Sequence, residues 1–348
     1  MEWRRVRLKF TPDLEVEFVD RDRALRQVEE FAKRGTYPVY VIYGPEGCGK
    51  TALFKQAIEI LKAYDYSVVY VSPLEELENR FTVTEDLKDI VKEILKTIVE
   101  LTHGRSVAKL VDLAICVVSR ALKHGRKRVA ILADDIFQAV DLDKAELYVK
   151  TFLNLIEHPS ADYDRIVILV GSSEGVSRTR VGRHSWAELW SIWNMSREGL
   201  RELYSKLPGD KPPFDDVWRW TGGNPRYLGR LYIAGWNVDK IVHDIIEERD
   251  LLRFVKKLGP EQRKILEEAV EDPDILFQKL GESENVNTLI DKLVELNLVM
   301  CIMPERDEYL WIDVPPPEKD PEIGIGRYVA WQTPMHREAI RKALQCLV

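Results

Sequence analysis

One eight-residue stretch constrains the fold more than any other: Gly44-Pro45-Glu46-Gly47-Cys48-Gly49-Lys50-Thr51, which reads GxxxxGK[ST] in full. Such a stretch needs a strand before it and a helix after it. Its glycines let the main chain curl, and the helix then aims its amino end at the captured anion. Both flanks are present. Pro38 to Tyr43 is a short β-branched and aromatic run, and Ala52 to Tyr64 carries apolar residues at 53, 54, 57, 60 and 61, close to helical spacing. The expected ligand is a polyphosphate cradled along Gly44 to Ala52, with Lys50 reaching the β- and γ-phosphates and the Thr51 hydroxyl ligating magnesium.

Binding alone is not hydrolysis, which also needs a carboxylate for the metal and a base for water. Arg128-Val129-Ala130-Ile131-Leu132-Ala133-Asp134-Asp135 is an apolar strand ending in two acids, the shape of a Walker B segment. Neighbouring strand residues face opposite ways, but the backbone turns at the strand's carboxyl end. Asp134 is therefore expected on magnesium and Asp135 as the base beside the γ-phosphate. A third apolar strand, Arg165 to Val170, ends in Gly171-Ser172-Ser173-Glu174, where small hydroxyls, Ser172 among them, are expected either to sense the γ-phosphate or to form a serine turn or helix cap. Arg178, Arg180 and Arg183 form a basic cluster that is either a solvated loop or the source of an arginine finger.

Composition removes several classes. A chain of 348 residues implies two to three domains. Its net charge of −7 argues against a protein whose main role is coating nucleic acid. The cysteines at 48, 116, 301 and 346 form no CxxC pair and no zinc pattern. Apolar runs stop at about six residues, far short of the ~20 of a membrane span. Charged residues follow the N-terminal Met1-Glu2-Trp3, so no secretory signal is expected and the cytosol is the expected compartment.

With these motifs in place, the chain resembles archaeal ATPases of the STAND class within the AAA+ group. Phe18-Val19-Asp20-Arg21-Asp22 is similar to the family's hhGRE-type segment, with Asp20 where glycine is usual. The resemblance implies that Val19 and Arg21 flank the adenine. Asp134-Asp135 matches the hhhhDD Walker B, and Thr221-Gly222-Gly223-Asn224-Pro225-Arg226-Tyr227-Leu228 resembles the GGNPRYL segment, whose proline, here Pro225, packs on the base. Thr333-Pro334-Met335-His336-Arg337-Glu338 is similar to the Met-His-Asp element, in which the histidine, here His336, contacts the β-phosphate of ADP; Arg337 replaces the acid.

Patterning and resemblance predict one architecture: an α/β P-loop core of the ASCE/AAA+ type with a parallel sheet at 1–185, a helical lid at 186–249 and a C-terminal winged-helix domain at 250–348. Trp186, Trp190 and Trp193 are spaced as one helical face of the lid. The wing is expected as a hairpin of Leu298 to Met303 with Tyr309 to Val314. Residues 251–348 hold 13 Lys and Arg against 18 Asp and Glu, a net of −5, and the third helix of this region, Val286 to Leu296, has two acids and one lysine. That helix would repel phosphates. The leading expectation is therefore an ATP/ADP-controlled switch with slow magnesium-dependent hydrolysis that exposes a surface to a protein partner. The rivals are a motor or loader engaging nucleic acid through the winged helix, and an ADP-locked binding module.

Overall fold

The computed structural model describes residues 3–75, 79–99, 107–139, 142–173, 185–302 and 305–346. In chain order the first elements are a hairpin of β1 (Arg7–Thr11) and β2 (Leu14–Glu17), then α1 (Asp22–Arg34), β3 (Val39–Tyr43), α2 (Lys50–Ala63), β4 (Ser67–Val71) and β5 (Phe81–Val83). They are followed by α3 (Lys88–Val99), α4 (Val107–Lys123), β6 (Arg128–Ala133), α5 (Leu142–Glu157), β7 (Arg165–Ser172) and β8 (Ala187–Ser191). The remainder is largely helical: α6 (Arg197–Ser205), α7 (Phe214–Thr221), α8 (Pro225–Ile233), α9 (Val238–Glu248), α10 (Leu251–Lys256), α11 (Pro260–Glu271), α12 (Asp274–Gln278) and α13 (Glu284–Glu295). It closes with β9 (Val299–Cys301), β10 (Val329–Trp331) and α14 (Pro334–Gln345). None of the described helices is long and apolar enough to cross a membrane.

The chain packs as two compact units. The first holds residues 1–6, 22–43 and 50–191; the second holds 7–21, 44–49 and 192–348.

In the first unit the described strands form one sheet in the order β5-β4-β6-β7-β3-β8, parallel except for β5. A parallel sheet buries both faces, so its strands read as continuous apolar runs, as β4, β6 and β7 do. One face packs on α4, which turns Val111, Ala114, Val117, Val118, Ala121 and Leu122 inward at helical spacing. Each of these valines and the leucine, fully withdrawn from water, contributes about 1.5–3 kcal/mol. Strand β6, which leads to the acids, is separated from β3, which leads to the glycine-rich loop, by β7. All three end on the same edge of the sheet, where ligands of open α/β sheets bind.

The tryptophan spacing misled. Trp190 lies in β8, not on a helix, and packs edge-on against Tyr40 at 5.3 Å between ring centroids and against Phe31 at 5.7 Å. Spacings of four and three fit a helix, but hydrogen bonding to β3 holds this segment extended.

In the second unit the β1–β2 hairpin contributes Phe10, Leu14 and Val16 to a small core with Met195, Leu200, Leu203, Val217 and Leu228. A larger core gathers α9, α11, α13 and α14. The expected hairpin is corrected in one strand: β9 pairs antiparallel with β10, Val299 opposite Trp331, whereas Glu308–Leu310 forms a 3-10 turn. Short apolar segments near a turn do not specify a partner. Here the Asp274 carboxylate accepts the backbone N–H groups of Arg327, Tyr328 and Val329 and so holds the approach to β10.

Candidate functional site

The first unit supplies the cation and the carboxylates. Lys50 and Thr51 open α2. Lys50 is 4% exposed. The Thr51 hydroxyl donates to the Asp134 carboxylate at 2.6 Å. Asp134 follows β6 directly, and its N–H is tied to the Val71 carbonyl, so the sheet itself sets its position. Its side chain is fully buried, and its Oδ1 has no hydrogen-bond partner among the described residues. Burial, and then the neighbouring Asp135, push the Asp134 carboxyl well above the ordinary carboxylate range, against the Thr51 hydrogen bond and the charge of Lys50.

This arrangement fits magnesium. A hydroxyl and a carboxylate in contact are two hard oxygen donors, and a divalent cation would add to the charge of Lys50 in favouring the ionised form of Asp134 against its burial and Asp135. Among the described residues no cluster of three or more His, Cys, Asp or Glu could hold a metal.

Asp135 sits in the left-handed region at φ 48°, so the chain turns immediately after Asp134. Its carboxylate accepts from the Ser173 hydroxyl at 2.9 Å. Ser172 ends β7 opposite Tyr43, the last residue before the glycine-rich loop, and is buried. Ser173, adjacent to the expected sensor, thus engages the carboxylate expected as the base. Sequence reading also passed over Tyr70, whose hydroxyl lies 3.3 Å from Asp134 and 3.1 Å from Glu75. Burial, followed by Asp134, raises its phenol, so it stays a donor. Its inward position on β4, one strand from the acids, was the available signal. Glu174, Arg178, Arg180 and Arg183 lie outside the described residues.

The second unit contains the curled part of the loop, residues 44–49. Gly47 and Gly49 take φ of +75° and +106°, where a side chain is strained. A Cβ on Gly47 would also come within 2.5 Å of Arg226. The loop is tied on several sides. The Glu46 N–H donates to Gln332 at 3.0 Å, and the Glu46 carbonyl accepts from Asn224 at 2.9 Å. The Glu46 carboxylate pairs with Arg226 at 2.6 Å and Arg249 at 2.5 Å. Burial opposes ionisation of Glu46, yet the two guanidinium groups outweigh it and hold its carboxyl below the usual value. Asn224 is fully buried and also caps α8, accepting from the N–H of Arg226 and Tyr227; Pro225 takes the first helical position, as its missing N–H favours.

The remaining expected nucleotide contacts are placed as follows. Pro45 and the fully buried Cys48 lie in the loop, where the Cys48 N–H donates to the Pro45 carbonyl at 3.3 Å; Ala52 is in the first turn of α2. Val19 packs in the small core with Val16 and Leu200. Asp20 adopts φ 59°, which explains why a family pattern with glycine there accepts an aspartate, a residue that tolerates this region. Arg21 is buried and bonded to Asp313 and to the carbonyls of Cys48 and Trp193.

His336 is 1% exposed, with Nε2 3.0 Å from the Tyr227 hydroxyl and Nδ1 2.8 Å from the Thr333 hydroxyl. Burial, with Arg249 next, lowers its pKa to about 3. The folded chain thus keeps the ring neutral while the unfolded chain protonates it below about 6.5. The resulting stability is full above pH 6.5 and is lost as the pH falls toward 3. Between pH 6.5 and 5 the loss is about 2 kcal/mol. Urea unfolding at pH 7 and pH 5 should show this drop in the native chain and a smaller one in His336→Gln; equal drops would mean the imidazole does not carry the effect.

Comparisons with known proteins address the family and the fold. Residues 18–231, more than half of the chain, match the family described as an ATPase domain predominantly from Archaea. An uncharacterized ATP-binding protein of Methanocaldococcus jannaschii is 39% identical over 57 residues, 16% of this chain and 15% of that protein's length. The Walker-type ATPase of Pyrococcus abyssi superposes with a TM-score of 0.51 at 13% identity, covering 93% of this chain and 96% of that one, which establishes a shared fold. The parallel sheet, the GxxxxGK[ST] loop, the paired acids and the family match converge on one assignment: the chain has a P-loop α/β fold and belongs to the archaeal ATPase domain family.

Proposed function

We propose that the chain binds ATP together with magnesium, hydrolyses it slowly and acts as a nucleotide-controlled switch. The observation that carries this reading is the 2.6 Å contact between the Thr51 hydroxyl and a buried Asp134 carboxylate whose second oxygen has no hydrogen-bond partner among the described residues. Magnesium, when bound, supplies charge neutralisation at the β- and γ-phosphate oxygens. Thr51 and Asp134 would hold that ion, and Lys50 would meet the phosphate charge. Asp135, oriented by Ser173, accepts a proton from the attacking water. Aspartate is one methylene shorter than glutamate, which favours slow turnover and long-lived nucleotide states.

The switch reading is supported by how the loop is held. Residues 46–48 bond to Asn224, Arg226, Arg249, Gln332 and Arg21, so a change in what the loop grips alters contacts made by 192–348. A nucleotide shifts such an equilibrium only through contacts that differ between the two states, and these are the residues able to make them. In this reading 186–249 serve as a lid and 250–348 as a winged-helix cover that releases a surface for a protein partner. The acidic balance of 251–348 favours this over nucleic-acid engagement.

The test is to purify the chain, identify any retained nucleotide, and follow phosphate release from ATP with magnesium or with EDTA, with and without duplex DNA. Retained adenine nucleotide and slow, EDTA-sensitive release unaffected by DNA are expected. No nucleotide affinity and no magnesium-dependent release would sink the reading, and a severalfold DNA stimulation would favour the loader.

A further inference from the structure

We propose that Arg21 and Asp313 form a positioning pair for the phosphate loop, fixing the Cys48–Gly49 peptide so that the Gly49 amide keeps the direction a phosphate needs. This rests on the nucleotide-binding reading above and adds to it a mechanism built from two residues far apart in sequence.

The geometry is specific. Arg21 and Asp313 are each 3% exposed and meet through Nη1 and Oδ2 at 2.7 Å. The other arm of the guanidinium, Nη2, donates to the Cys48 carbonyl at 2.6 Å and to the Trp193 carbonyl at 2.9 Å. A trans peptide is planar, with its C=O and the following N–H pointing in opposite directions. Whatever holds the Cys48 carbonyl on one side therefore aims the Gly49 N–H to the other. Gly49, at φ +106°, has little intrinsic preference for one orientation, so an external tether is needed to choose it.

Burial explains the carboxylate. A guanidinium withdrawn from water without a counter-charge is strongly destabilising, and Asp313 supplies that charge in bonded geometry. Arg21 itself sits at φ 63°, directly after Asp20 at φ 59°. Two successive non-glycine residues in the left-handed region persist only where their surroundings over-determine them. The three acceptors around the guanidinium do so here. The side chain expected at the adenine is thus fully engaged beneath the loop, and a carboxylate from the C-terminal part of the chain governs whether it stays there.

The experiment uses the full chain and a fluorescent ADP analogue, measuring affinity, release rate and thermal unfolding without nucleotide. Asp313→Asn should weaken analogue binding and speed its release roughly ten- to hundredfold, the range for losing hydrogen bonds of a charged group. Arg21→Lys keeps the charge beside Asp313, but a single ammonium cannot reproduce the planar fork that spans Asp313 and two carbonyls. It should unfold close to the native temperature and still lose affinity. In the double variant Arg21→Met with Asp313→Leu no buried charge is left unpaired, so thermal stability should return while affinity stays low.

Native affinity and release in Asp313→Asn would overturn the proposal. So would a double variant, or Arg21→Lys, that binds the analogue as the native chain does, because the pair would then be structural only. If the native chain itself fails to bind the analogue, the nucleotide reading falls and this proposal falls with it. Binding by the native chain with unchanged variants removes the positioning pair alone.

Discussion

Lys50→Ala should reduce nucleotide affinity by on the order of a hundredfold or more, because two losses add. The first is direct: in the proposed reading the Lys50 ammonium, 4% exposed at the start of α2, meets the phosphates, and alanine removes its charged hydrogen bonds. The second acts through Asp134. That carboxyl is already raised by burial and by Asp135, and Lys50 is one of the few groups favouring its ionised form. Without Lys50 this carboxylate is protonated over a wider pH range, so the magnesium proposed there would be held less well. Isothermal titration with ATP and magnesium reads both effects, and native affinity in Lys50→Ala would remove the lysine from the phosphate role. Thermal unfolding should change far less than binding, since the leucine, phenylalanine and isoleucine face of α2 that packs in the core is untouched.

Asp135→Asn should have the opposite profile: binding kept, turnover lowered about 10²- to 10⁴-fold, the range for losing a positioned general base. The substitution is conformationally silent for a reason visible in the backbone. Asp135 occupies the left-handed region, which asparagine tolerates as well as aspartate does. The amide oxygen can still accept from Ser173. What disappears is a negative charge beside Asp134. Its loss lets Asp134 ionise more readily, so magnesium and nucleotide affinity should hold or improve. Single-turnover phosphate release, measured alongside analogue binding, separates the two. Unchanged turnover would mean that another group takes the proton.

These two predictions rest on residues that local patterning identifies. The glycine-rich loop is legible because its chemistry is contiguous: phosphate recognition by backbone amides needs glycine at fixed offsets, and strand and helix flank it directly. The paired acids are legible because an apolar run of strand length ending in charge has one inexpensive arrangement, with the acids at the sheet's edge. Asn224 and Pro225 likewise carry a helix-start signature, which the structure realises as a cap and a first-turn proline.

Other functional features left no local mark. The Glu46 carboxylate lies between Arg226 and Arg249, residues roughly 200 positions away, and no spacing rule links them. Trp190 obeyed helical spacing yet forms part of a strand, because pairing with β3 outweighs the weak preference of a five-residue segment. Residue types, periodicities and contiguous motifs were enough to point to a strand-loop-helix at 39–63 and to two acids directly after an apolar strand. Which serine meets Asp135, which strand closes the β9 pair, and which carboxylate accompanies Arg21 depended on chain segments brought together by burial. The physical reason is that a buried charge or an unpaired strand edge selects its partner by proximity in the folded chain, and one-dimensional spacing does not encode that proximity.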